Sequence, residues 1–192
     1  MRNIDKYYEN TKDSMPNKNV RELIELKRET GNAIELGCGA GRDTKLLLEN
    51  GWNVLAIDKE DVSNIITEKL NQEELNKFRF QKQEFESLEL EATNLIVANF
   101  SLPFCGKNKF NEMWNKIKNS ILLNGYFVGN FFGLNDEWAK VKQDMTFLSK
   151  EDVLNLFNEF EIISFKEIKK EMKTGLGKMK HWHIFDVIAR KK

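Results

Sequence analysis

The sequence predicts an α/β fold: a seven-stranded, mostly parallel sheet with helices on both faces and an antiparallel hairpin at the C-terminus. Three observations carry that prediction. Short apolar runs alternate with helix-period segments at the spacing of repeated strand–helix–strand units. Three closely spaced glycines, Gly37, Gly39 and Gly41, lie between the first apolar run and the helix after it. The last two strand candidates are joined only by Lys173–Lys178, too short for a crossover, so they must pair antiparallel.

The elements follow in order. Residues 18–30 place Val20, Leu23, Ile24 and Leu26 mostly on one helical face. Ala33-Ile34-Glu35-Leu36 reads as a buried strand, and residues 43–50 as a helix stopped by Gly51. Asn53–Ile57 is a second strand ending at Asp58, and a polar helix is expected over 61–76. Phe78 and Phe80 alternate with charges in a third strand, and Leu95–Ala98 forms a fourth. Phe110–Asn119 reads as a helix with Met113, Trp114 and Ile117 on one face, and Gly125–Phe132 as a fifth strand. Ser149 and Asp152 form a capping-box opening for a helix over 149–157. The terminal strands are 160–171 and 179–190. With right-handed crossovers, the ligand belongs along the C-terminal edge of the strands.

Composition narrows the function classes. The chain has 192 residues, 41% of them apolar and 31% charged, which suffices for one domain, 1–192, with a full core. Two prolines and the absence of a Gly/Ser-rich linker leave no domain boundary visible. Thirty basic and thirty acidic side chains cancel, removing the long-range attraction to nucleic acid or anionic membrane of a strongly basic protein. Cys38 and Cys105 are too far apart in sequence for a CxxC site, so no metal is expected. The amino terminus is too polar for a signal peptide and no apolar run approaches a membrane span. The expected setting is cytoplasmic, with no nucleic-acid or membrane partner.

The segment Glu35-Leu-Gly37-Cys38-Gly39-Ala-Gly41-Arg42-Asp43-Thr44 carries the chemistry. Glycines that leave a strand and open a helix let backbone approach a ligand where a Cβ would collide. A dinucleotide fingerprint would read G-x-G-x-x-G, but the third place here is Arg42, too bulky for close helix–strand packing. No G-x-x-x-x-G-K-[ST] string exists for a triphosphate loop.

The spacing E-x-G-x-G-x-G instead resembles motif I of class I S-adenosylmethionine-dependent methyltransferases. The Gly-Arg-Asp-Thr sequence, the loop Asn99-Phe100-Ser101-Leu102-Pro103-Phe104-Cys105 and the stretch His181–Arg190 resemble small bacterial members of the tellurite-resistance and thiopurine-methyltransferase-like neighbourhood. The resemblance is most specific over 33–104. It implies a Rossmann-like fold, S-adenosylmethionine as cofactor, a cap segment and helix over 1–30, a cofactor half over 33–104 and an acceptor half over 105–192. It also implies that Glu35 orients the loop near the cofactor's amino-acid end, with Gly37, Cys38 and Gly39 offering backbone. Asp58, 17 residues after Gly41 and followed by Lys59, would take the ribose hydroxyls, since one carboxylate can accept two hydrogen bonds. Glu84 would accept from the adenine amine and Phe85 pack on its ring, and Asn99 and Phe100 follow the fourth strand at the same edge. Tyr8, in the stretch that resembles a cofactor cover, is expected to touch the methionine end or to lie on the surface. Arg42 pairs either with the cofactor carboxylate or with Asp43.

The implied reaction is in-line displacement of a methyl group from a sulfonium to a small-molecule acceptor, a thiol or chalcogen oxyanion ahead of oxygen or nitrogen. Alignment and exclusion of water suffice for such a step, and a base is needed only for an acceptor that arrives protonated. No catalytic base is assigned. Phe104, Phe131, Trp138 and His183 are the acceptor-pocket candidates, against packing in the core. His181 and His183 alternate on one strand face, with hairpin hydrogen bonding the simpler role. Alternatives are a cofactor-binding scaffold without turnover and an NAD-dependent oxidoreductase. The neutral charge is a regional cancellation, since residues 84–91 carry net −4 and residues 166–192 net +6.

Overall fold

A buried run of alternating parity has two faces to cover, and each predicted strand finds its place in one sheet by that rule. The computed structural model describes residues 2–27 and 29–192. Five strands run parallel: β1 (Asn32–Leu36), β2 (Asn53–Asp58), β3 (Phe78–Lys82), β4 (Thr93–Ala98) and β5 (Ile121–Gly133). A two-residue strand, β6 (Phe147–Leu148), adds parallel to the end of β5. The hairpin β7 (Phe160–Lys173) and β8 (Met179–Lys191) closes the sheet antiparallel, β8 against β5. The order is β3-β2-β1-β4-β5-β8-β7. The seven expected strands are all present. The eighth, β6, is too short to leave a hydrophobic period.

Parity assigns the faces. Ile34, Leu36, Ile96, Phe127, Phe131, Phe185 and Val187 meet α6 (Phe110–Ser120) and α7 (Lys150–Leu156) through Trp114, Ile117, Val153 and Phe157. Trp114 lies 5.1 Å from both Phe127 and Phe157, ring centre to ring centre. Truncating it would cost about 3–5 kcal/mol. Ala33, Val54, Leu95, Val97, Val128 and Ile188 face the other way, against Val20 and Leu23 of α2 (Lys18–Leu26) and Leu47 and Leu48 of α3 (Arg42–Glu49).

Local rules set most helix ends. Ser149 and Asp152 make the expected reciprocal cap of α7, and Gly51, with φ of +86°, follows the end of α3. The helix expected over 61–76 is instead two, α4 (Ser63–Thr67) and α5 (Gln72–Asn76). Asn71 divides them: its side chain accepts from Glu74 N–H at 3.0 Å while Glu74 accepts from Asn71 N–H at 2.8 Å. The amino-terminal cover is also a helix, α1 (Asn3–Thr11), capped by Arg2 N–H on Asp5 at 3.0 Å. The helix expected over 18–30 stops at Leu26, Lys27 being extended, and Arg28 of that stretch lies outside the described residues. Among the described residues no helix is long and apolar enough to cross a membrane.

From β1 the chain steps outward to β2 and β3, then returns to the other side of β1 at β4. The ends of β1 and β4 therefore flank the switch point, where α/β sheets open a crevice for ligands.

Candidate cofactor and acceptor site

The loop leaving β1 turns on three left-handed glycines: Gly37 at φ +71°, Gly39 at +55° and Gly41 at +74°. Two are also held by space. A Cβ on Gly37 would fall 2.4 Å from Ser101 Cβ, and one on Gly41 would fall 2.5 Å from Ile66 Cγ1. Gly39 differs, because its nearest neighbour would be Tyr8 Cε1 at 3.8 Å. At the middle of the loop a Cβ would meet only the Tyr8 ring at van der Waals distance, so Gly39 is held by its left-handed φ and not by a clash.

Asp58, at the end of β2, is buried beside this loop and accepts from Gly39 N–H at 2.9 Å. Its other oxygen accepts from the Tyr8 hydroxyl at 3.1 Å and from Glu60 N–H at 3.1 Å. Tyr8 therefore meets the acid, and its ring edge also stands over Gly39 in the middle of the loop, because α1 lies across the end of β2. Burial, then the neighbouring Asp58 charge, pushes the Tyr8 phenol far above its ordinary value. Lys59 is exposed.

Glu35 is buried and takes its hydrogen bond from the Thr44 hydroxyl, joining β1 to α3. Burial, followed by the charge of Asp43, raises its carboxyl well above the usual range, with Thr44 opposing. The backbone N–H groups of Gly37 and Cys38 both donate to the Ile57 carbonyl, at 2.8 and 3.0 Å, tying the loop to β2. Burial raises the Cys38 thiol well above the ordinary value, which disfavours a thiolate. Arg42 does not pair with Asp43. Its guanidinium donates to Met15 O at 3.2 Å, and Asp43 instead accepts from Asn17 N–H, Asn17 Nδ2 and Asn99 Nδ2 at 2.7, 2.7 and 3.0 Å.

Asn99 extends this into a buried polar group that the sequence did not reveal. It exchanges two bonds with Asn19 at 2.7 and 3.0 Å and accepts from Asn130 at 3.2 Å. Asn130 in turn accepts from Phe100 N–H at 2.9 Å, fixing Phe100 in the left-handed region at φ +52°. Such a conformation costs a bulky residue about 1–2 kcal/mol. Ser101 follows, packed on Gly37, and its buried hydroxyl has no hydrogen-bond partner among the described residues. Asn130, polar inside the apolar β5 run, and Ser101, inside the loop already singled out, were the available signals.

At the third strand, Glu84 is exposed and Phe85 leans on the core. Gln83 N–H donates to the Asp58 carbonyl at 2.9 Å, so this turn does sit beside the end of β2.

The acceptor candidates separate by parity. Phe104 and Trp138 come together at 6.2 Å, joined by Phe132 at 6.4 and 6.1 Å. Phe131, one residue along, points to the opposite face and stacks on Phe127 at 5.9 Å in the core. His183 also lies on that face. Its Nδ1 accepts from Asn135 N–H at 3.1 Å and its Nε2 lies 3.1 Å from Glu167 Oε1. His181 meets Glu171 at 2.8 Å, so both histidines serve the hairpin. Lys180 and Asp136, unmarked by any motif, form a buried ion pair at 2.5 Å beside Trp182, of the same parity as Lys180. Among the described residues no three His, Cys, Asp or Glu side chains gather as a metal-binding group.

Residues 2–177 match the family described as tellurite resistance protein TehB. Among solved structures, TehB from Haemophilus influenzae superposes with a TM-score of 0.80 at 15% identity, covering 97% of this chain and 66% of that one. The chain thus spans just under two thirds of that protein's length. N-methyltransferase NodS from Bradyrhizobium japonicum, solved with S-adenosylhomocysteine, gives 0.70 at 12% identity, covering 98% and 96%. The 1,6-didemethyltoxoflavin-N1-methyltransferase from Burkholderia thailandensis gives 0.66 at 17%, covering 91% and 79%. At these identities the likeness is one of fold, and that fold is the Rossmann-like one. No curated protein sequence matches the chain. With one family covering residues 2–177, the chain belongs to the TehB tellurite resistance protein family.

Proposed function

We propose that the chain is an S-adenosylmethionine-dependent methyltransferase acting on a small molecule. The observation that carries this is the pairing of a glycine loop leaving β1, beside the switch point, with a carboxylate at the end of β2, Asp58 bonded to Gly39 N–H. The residues fit an adenosyl sulfonium: a left-handed glycine turn without side chains at Gly37–Gly41, a two-oxygen acceptor at Asp58, and an orphaned hydroxyl at Ser101. In this reading Asp58 holds the ribose, Gly37–Gly41 the methionine portion, and Glu84 and Phe85 the adenine side. Asn99 and Phe100 shape the edge between cofactor and acceptor. Residues 33–104 form the cofactor half of one domain and 105–192 the acceptor half.

When bound, the cofactor supplies a methyl group on a positively charged sulfur. The chain's own part is alignment and exclusion of water, with α1 covering the loop. No residue is assigned as base, since His183 has both ring nitrogens engaged. The acceptor class carried forward is a thiol or a chalcogen oxyanion.

Calorimetry with S-adenosylhomocysteine and with NAD tests the cofactor. Micromolar binding of the first and none of the second is expected. NAD binding alone overturns the reading. Asp58→Ala should weaken S-adenosylhomocysteine about tenfold or more, the worth of a charged double acceptor. Unchanged affinity removes the ribose assignment.

A further inference from the structure

Beyond Asn99 the strand-end edge turns from polar to aromatic. Phe104, Phe132 and Trp138 close a triangle with ring centres 6.1–6.4 Å apart. Phe100 stands 6.2 Å from Phe132, and Trp182 lies beneath, 5.5 Å from Phe132 and 5.6 Å from Trp138. The loop after β4 spans the two halves, since Ser101 touches Gly37 while its neighbour Phe100 touches the rings. Phe104 is 54% exposed and Trp138 half-buried, while Phe132 is 1% exposed, so the accessible side of the triangle is its Phe104–Trp138 edge, floored by Phe132.

Among the described residues, Lys180 is the cation seated on these rings: its Nζ is 3.7 Å from the centre of Trp182 and 4.6 Å from Trp138. Its charge is already committed. The Lys180 and Asp136 side chains are 1% and 0% exposed, and Lys180 donates to Asp136 at 2.5 Å and to His181 O at 3.3 Å. Asp136 accepts further from Trp138 N–H at 3.0 Å and His183 N–H at 3.2 Å. An anion on the triangle would give up hydration and meet rings over a neutralised pair. A neutral ring would instead add edge-to-face contacts to those already there.

We infer that the Phe104–Phe132–Trp138 triangle binds the acceptor, and that it takes a neutral, ring-bearing molecule rather than an oxyanion. This rests on the methyl-transfer reading and departs from its acceptor class: the chalcogen oxyanion is excluded, and a thiol is kept only where a neutral ring carries it.

The test uses the full chain saturated with S-adenosylhomocysteine and titrated with naphthol, naphthoate and selenite. Naphthol should bind at least about tenfold tighter than naphthoate, with no selenite binding. Trp138→Ala and Phe104→Ala should each weaken naphthol about fivefold or more while the S-adenosylhomocysteine affinity stays within about twofold. Phe104 is exposed enough that its variant should fold. Absent naphthol binding, equal or tighter binding of naphthoate or selenite, or variants that leave naphthol unmoved, would each overturn the assignment. Failure of S-adenosylhomocysteine to bind the unmodified chain is a different result, and sinks the methyl-transfer reading itself.

Discussion

Asp58 already has partners for both oxygens, and one of them, the Tyr8 hydroxyl, comes from a covering helix rather than from the loop. In the proposed function a ribose hydroxyl needs that same oxygen, so Tyr8 competes with it. Tyr8→Phe should tighten S-adenosylhomocysteine about two- to fivefold by calorimetry, the worth of one displaced hydrogen bond. Weaker binding would mean that Tyr8 contacts the ligand directly. At this scale Asp58 was legible from its place after Gly41 on a strand end. Tyr8 was placed in the cover, yet its partner was hidden, because a contact spanning fifty positions leaves no local pattern.

Among elements, the glycine loop sets the spacing between β1, β4 and α3. Gly41→Ala adds left-handed strain and a methyl 2.5 Å from Ile66, so it should lower stability by about 2–4 kcal/mol in urea melts. Ser149→Ala, which removes the α7 cap far from the loop, should cost about 1 kcal/mol and leave S-adenosylhomocysteine binding unchanged. The post-β5 loop is clamped to β8 through Lys180 and Asp136. Lys180→Ala leaves a buried carboxylate uncompensated and should cost about 3–5 kcal/mol. A change below about 1 kcal/mol would mean that water reaches Asp136 and the pair is not sealed. Helices α2 and α6 were readable from apolar period and α7 from its cap, but α1 was not, and the break at Asn71 turned on a side-chain cap that competes with helix continuation.

For the whole molecule, the group with the clearest pH signature is Asp186 on β8. Burial raises its carboxyl from 3.8 to about 6, with Lys166 and the Asn130 hydrogen bond opposing. The folded state keeps the proton that the unfolded chain has lost, so this stabilisation is complete below about pH 4. It fades as pH rises and is gone above about 6. Its size is bounded at about 3 kcal/mol. Asp186→Asn should therefore flatten the fall in stability between about pH 4 and 6, measured by urea melts at each pH. An unchanged slope would assign the fall to other carboxyls, Glu35 first.

Local chemistry in the sequence determined the strand count of the main path, the antiparallel finish, the glycine loop and the acid that ends β2. Each depends on spacing within one or two elements: alternation, connection length, a left-handed turn. Tertiary structure alone decided which neighbours those residues have. Phe131 and Phe132 differ by one position, and the sheet sends one to the core and the other to the aromatic triangle. Lys180 reads as one more charge of a basic hairpin until folding buries it on Trp182 against Asp136, forty-four positions away. The +6 counted over residues 166–192 is therefore no free cationic surface as a whole. Period and spacing are properties of a segment, whereas burial and pairing belong to surfaces that only the folded sheet brings together.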